Sequence, residues 1–157
     1  MRDDETLLLR LAEEIATETD SLAELRVEFV NAPKIGANTY EFRARASILH
    51  DFYTGVERVF VRIAEELNGG VPRSERWHSQ LLTDMTLRLD SIRPPVITKN
   101  LAGKLGLYLR FRHLFRNLYG YTLDPARIAP LEANFDEVFE RFMTEIQVFT
   151  EWLRASD

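Results

Sequence analysis

An all-α bundle of four long amphipathic helices and one short one is the fold class this 157-residue chain predicts. Three observations predict it. Apolar residues recur at spacings of three and four along four long stretches, the period of one helix face. No stretch alternates at period two over a useful length. The proline and glycine pairs, Gly69-Gly70 and Pro94-Pro95, fall between the periodic stretches rather than inside them.

The first stretch, about Asp4 to Val30, places Leu8, Leu11, Ile15, Leu22, Leu25 and Phe29 on one face. Asn31-Ala-Pro stops it, because proline lacks an N–H and restricts the residue before it. Asn38 with Glu41 three residues on forms a capping box for a second helix, which runs to about Asn68. Its face carries Leu49, Phe52, Val56, Val59, Ile63 and Leu67. Gly55 interrupts that helix at a cost of roughly 1 kcal/mol relative to alanine, which points to close approach of a neighbouring helix. Gly69-Gly70 and then Pro72 end it.

Ser74 is positioned to cap a shorter third helix through Trp77, Leu81, Leu82 and Met85 to about Leu89, and Pro94-Pro95 breaks the chain. The fourth helix spans about Thr98 to Tyr119, with Leu101, Leu105, Tyr108, Phe111, Phe115 and Leu118 as its stripe and Gly120 just past its end. Asp124-Pro125 is a cap followed by a first-turn proline. The fifth helix begins there, restarts or kinks at Pro130, and continues through Phe135, Phe142 and Phe149 to Leu153.

The length suits one domain over residues 1–157, and 45% hydrophobic with 29% charged residues is ordinary for a globular protein. There is no cysteine, so no disulfide or thiolate metal site is available. The acidic start lacks a secretory layout, and no apolar run approaches the roughly 18 residues of a membrane helix. The expectation is a cytoplasmic protein.

Charge is distributed unevenly. From Ser91 to Leu123 there are six basic residues, Arg93, Lys99, Lys104, Arg110, Arg112 and Arg116, and no acidic one. The chain has 20 basic and 25 acidic residues overall, so the remainder carries 14 against 25. Clustered cations make a local field that attracts phosphates, while a pI near 5.3 argues against coating the whole surface with nucleic acid. On the fourth helix Arg112, Arg116 and Tyr119 share a face, and His113 and Asn117 share the neighbouring one. Cations at a helix C-terminus are also favoured with no ligand at all, so the patch by itself has a purely structural reading.

Phe111 to Tyr121, followed by Leu123-Asp124, resembles the signature of HEPN-domain proteins of the HepT-like type. That motif is an arginine, a polar residue, about three further residues, then histidine, any residue and tyrosine. Arg112, His113 and Tyr119 match it, while Asn117 stands where the histidine belongs. The stretch Asp51-Phe-Tyr-Thr-Gly-Val-Glu-Arg and the pair Trp77-His78 are similar to one branch of the same proteins, so the likeness runs from about residue 40 onward.

The resemblance implies a homodimeric, metal-independent endoribonuclease toxin with no cofactor. Its antitoxin would be a minimal nucleotidyltransferase, which attaches AMP to the motif tyrosine, here Tyr119. Arg112, His113, Asn117 and Tyr119 would form the catalytic set, with Arg110, Arg116 and Lys104 binding RNA.

Asparagine does not titrate near neutrality. Because acid–base help contributes about 100- to 10,000-fold, the resemblance implies a slowed or lost nuclease. Either His113, one turn earlier, reaches the same phosphate, or Asn117 donates a hydrogen bond to RNA that is held and not cut. The alternative function is a non-enzymatic module that binds the nucleotidyltransferase or its nucleotide. His50 reads as a surface residue and His78 as a hydrogen-bonding residue at a helix start. The three scattered histidines give no metal site.

Overall fold

The structure, a computed structural model, describes residues 2–32, 39–117 and 123–156. Five helices follow in order: α1 (Arg2–Asn31), α2 (Thr39–Leu67), α3 (Trp77–Asp84), α4 (Lys99–Asn117) and α5 (Pro125–Ala155). The all-α bundle of four long helices and one short one that the periodicity predicts is the fold of the described residues. Asn38, Leu118, Tyr119 and Gly120, on which a cap, a stripe position, a site position and a helix stop were expected, lie outside the described residues.

Among the described residues α1 packs on α2 and α5, while α4 packs on α2, α3 and α5. α1 and α4 make no contact, whereas α2 and α5 do touch, so α2 is the one helix packed against all four others. The ring of Phe52 on α2 carries this central position. It meets Tyr108 of α4 edge-on at 5.5 Å and Phe135 of α5 at 5.2 Å, with Phe139 and Phe142 just beyond. Burying such a side chain contributes about 1.5–3 kcal/mol, and each well-placed ring pair adds about 0.5–1.5 kcal/mol more. Tyr108 is fully buried and donates its hydroxyl to the Leu131 carbonyl at 2.7 Å. Burial raises its pKa well above the usual phenol value.

Local signals act as the sequence suggests in several places. A Cβ on Gly55 would stand 2.5 Å from Leu22 Cδ2 of α1, so the mid-helix glycine lets α1 approach. Gly69 and Gly70 both take positive φ, and the Gly70 N–H donates to the Ala64 carbonyl. Thr98 Oγ1 caps α4 by accepting from the Leu101 N–H. Asp124 caps α5 by accepting from the Ala126 N–H, with Pro125 in the first helical position.

Two expectations change. α5 is one continuous helix through Pro130, so the chain does not restart there. The proline lies in the second turn, where few helical bonds precede it, and its carbonyl accepts from Asn134 Nδ2 at 2.8 Å. α3 begins at Trp77 and ends at Asp84 rather than running from Ser74 to about Leu89. Ser74 does not cap it; the hydroxyl meets Gln80 Oε1 instead.

The early stop has a tertiary cause. The Asp84 carbonyl accepts from Arg93 Nη2, and the Met85 carbonyl accepts from the Val96 and Ile97 amides. The Met85 carbonyl is thus taken by the returning loop, while the Asp84 carbonyl is shared between Arg93 and the Leu87 N–H of a tighter last turn. That loop folds tightly, with Leu89 and Arg93 paired back to back and Ser91 at φ 66°.

Candidate functional site

The site is built where α2, α3 and α4 meet. On α4 the buried stripe Leu101, Leu105, Tyr108 and Phe111 faces the core, and Arg112 follows Phe111 by 100° around the helix. That rotation turns Arg112 toward α2 and α3 instead of solvent, and only 5% of it is exposed. A guanidinium removed from water costs several kcal/mol unless it is paired and hydrogen-bonded.

α2 provides the partners. Tyr53 and Glu57, four residues apart, share one helical face. Arg112 Nη2 donates to Glu57 Oε1 at 3.0 Å, and the guanidinium carbon lies 5.2 Å from the centre of the Tyr53 ring. Burial is the main cause that raises the Tyr53 hydroxyl above its ordinary pKa, and the Glu57 charge adds to it. Among the described residues neither the Tyr53 hydroxyl nor Arg112 Nε has a hydrogen-bond partner.

α3 adds the third member. His78, the second residue of α3, places Nδ1 2.8 Å from Glu57 Oε2 and 3.1 Å from Arg112 Nη2. Arginine only donates, and an ionised carboxylate only accepts. The arrangement that satisfies the shorter contact puts a proton on Nδ1 and donates it to Glu57, while Arg112 donates to the other carboxylate oxygen. The Nη2–Nδ1 approach is then a consequence of sharing one carboxylate and not a hydrogen bond. With Nδ1 so engaged, a neutral His78 carries its lone pair on Nε2. Trp77 stacks on the His78 ring at 3.6 Å and fixes its plane.

A cleft of about 820 Å³ opens beside this cluster, lined by Glu75, Arg76, His78, Ser79, Leu109, Arg110, Arg112, His113, Leu114, Arg116 and Asn117. A second cleft of about 650 Å³ lies across the rim, with His50, Thr54, Arg58, Arg62 and Trp77 in its wall. His78, Arg112 and Arg116 belong to both, so they form the ridge between them. His50 faces the second cleft, with Nδ1 3.1 Å from Asp51 and its ring 5.0 Å from Phe115.

The residues singled out from the sequence distribute unequally. Arg110, Arg112, His113, Arg116 and Asn117 come together on the first cleft. His113 is exposed, and Asn117 donates its amide at 2.8 Å to the His113 carbonyl of its own helix. Tyr119 lies outside the described residues. Lys104 is elsewhere: it pairs with Glu137 across the α4–α5 seam and does not line the cleft.

The basic island is therefore smaller as a field than as a count. Arg93 is only 3% exposed and is spent on Asn68 and on the carbonyls of Asp84, Leu87 and Pro94. Arg112 is matched by Glu57 and Lys104 by Glu137, whereas Arg110 and Arg116 form no ion pair among the described residues. Glu57, Tyr53 and His78 are the site members that charge counting along α4 misses. A signal for them was present: the Asp51–Arg58 stretch and the Trp77-His78 pair are the segments whose resemblance extends beyond the short motif.

The family model described as HepT-like protein matches residues 44–153, from the second turn of α2 to the end of α5. The chain belongs to the HepT-like family. The matched span contains α3, α4 and α2 from its second turn, with Glu57, His78 and Arg112 included. No curated protein and no solved structure matches this HepT-like chain. Among its described residues no helix is long and apolar enough to cross a membrane.

Proposed function

We propose that this HepT-like chain is the toxin of a toxin–antitoxin pair, a metal-independent endoribonuclease acting as a cytoplasmic homodimer. Its antitoxin is a minimal nucleotidyltransferase that attaches AMP to Tyr119. The observation that carries the reading is Arg112: a buried guanidinium clamped by Glu57, backed by Tyr53 and facing a cleft lined by Arg110, Arg116 and His113.

In the proposed reaction a ribose 2′-oxygen attacks the adjacent phosphorus and displaces the 5′-oxygen, leaving a 2′,3′-cyclic phosphate. Negative charge accumulates on the phosphorane oxygens. A cation already fixed in place stabilises that charge without reorganising at the moment of reaction. The Glu57 clamp gives Arg112 that fixed position. Arg110 and Arg116, exposed on the same wall, supply the attraction for the backbone on either side of the scissile phosphate.

A second reading is favoured by one observation. Asn117, in the place of the motif histidine, turns its amide onto its own helix. Under that reading the cleft holds RNA, the nucleotidyltransferase or its nucleotide without chemistry. Incubation of the purified chain with total tRNA and messenger RNA in EDTA, beside Arg112→Ala, separates the two. Cleavage by the parent that Arg112→Ala removes supports the nuclease. RNA retention without cleavage supports the binding module, and neither retention nor cleavage removes the nuclease and leaves a module for the nucleotidyltransferase or its nucleotide.

A further inference from the structure

Resting on the nuclease reading above, we infer that His78 is the proton acceptor of this site, replacing the histidine that Asn117 displaces. Asn117 cannot fill the role, because an amide does not titrate and its N–H is committed to the His113 carbonyl. His113 carries an imidazole at the cleft, but it is exposed and no described residue fixes its ring.

His78 has what the other candidates lack. Its Nδ1 is held 2.8 Å from Glu57 Oε2, a carboxylate only 7% exposed, which sets the tautomer that presents Nε2 as the base. Trp77 stacked on the ring fixes its plane. The side chain remains 33% exposed and lines both clefts, so the ring is held and still reachable. Glu57 also binds Arg112, so one carboxylate places the base and the charge-stabilising cation side by side, with Nδ1 and Nη2 3.1 Å apart.

The step balances as follows. Nε2 of His78 takes the proton of the ribose 2′-hydroxyl as the 2′-oxygen bonds to phosphorus. The phosphorus–5′-oxygen bond breaks, and a cleft water protonates the departing oxygen. The imidazolium then returns its proton to the hydroxide left behind. Arg112 neutralises the phosphorane and does not exchange a proton.

The test compares cleavage of total tRNA in EDTA by the 157-residue parent, His78→Ala, His78→Asn and Arg112→Ala, with each variant's thermal melt recorded. Asparagine at position 78 can still donate a side-chain N–H to Glu57 but has no titrating nitrogen. The expected result is that both His78 variants lose at least about 100-fold in rate. His78→Asn should melt like the parent, and free imidazole should restore part of the His78→Ala rate.

Parent-like cleavage by His78→Asn, with Arg112→Ala inactive, overturns the role of His78 and leaves the nuclease standing. Loss of activity in His78→Ala alone, with no rescue by imidazole, likewise assigns His78 a purely structural part. A parent that cuts nothing overturns both readings together.

Discussion

Removing the Glu57 carboxylate is the most direct perturbation of this site, because it strips two groups of their partner at once. Arg112 is 5% exposed and Glu57 7% exposed, with Nη2 and Oε1 at 3.0 Å. Breaking a pair so buried leaves an uncompensated charge, which costs about 3–5 kcal/mol. For a domain of this size each kcal/mol lowers the melting temperature by about 2–4 °C, so Glu57→Ala should melt about 6–20 °C below the parent. Glu57→Gln keeps an oxygen for Arg112 and removes the charge; its cost should fall to about 1–3 kcal/mol.

The decisive comparison is a double-mutant cycle. Arg112→Met alone should also destabilise, by stranding Glu57. The pair Glu57→Leu with Arg112→Met leaves no unpaired charge and should cost far less than the two single changes together. Urea and thermal unfolding with unchanged m-values measure all four corners. A Glu57→Ala loss below about 1 kcal/mol, or single-mutant costs that simply add, would refute the claim that this carboxylate fixes the arginine.

Three further outcomes are expected. Gly55→Ala gains about 1 kcal/mol of helix propensity but forces Leu22 aside, an overpacking cost of about 1–3 kcal/mol. It should therefore be neutral to destabilising in the parent and stabilising in a Leu22→Ala background; stabilisation in both would contradict the tight α1–α2 approach. Arg93→Ala leaves Asn68 and three carbonyls without their donor and should lose about 3–5 kcal/mol in urea unfolding. A loss under 1 kcal/mol would mean the α3–α4 loop holds without it.

Finally, the hydrogen bond from Lys104, reinforced by its charge, keeps the Glu137 carboxyl below its ordinary pKa. The favourable interaction is thus present above the unfolded carboxylate pKa and lost as pH falls through the lower folded one. NMR titration should show the Glu137 midpoint moving up in Lys104→Met and toward its ordinary value in high salt. An unmoved midpoint would show that the pair does not persist in solution.

Much of the site's scaffold is local and could be read along the chain. Arg110, Arg112, His113, Arg116 and Asn117 share one helix end, and their placement on a common cleft follows from the 100° step once α4 is recognised. Charge counting failed where neutralisation is non-local. Lys104 meets Glu137 and Arg112 meets Glu57, and nothing near the basic island announces those partners. An arginine's role depends on whether tertiary packing gives it a carboxylate, carbonyls or water.

The sequence by itself determined the elements: the period of the apolar residues, the cap at Asp124, and the double-glycine stop after α2. Each works through neighbours a turn or less away, so each is written in contiguous residues. Only the tertiary structure decided where α3 stops, because the Met85 carbonyl is claimed by the Val96 and Ile97 amides of the returning loop. It also decided the chemistry of the site. Glu57, His78 and Arg112 lie on three different helices, and only the packing of α3 and α4 against α2 brings their charged and titratable atoms to hydrogen-bonding distance.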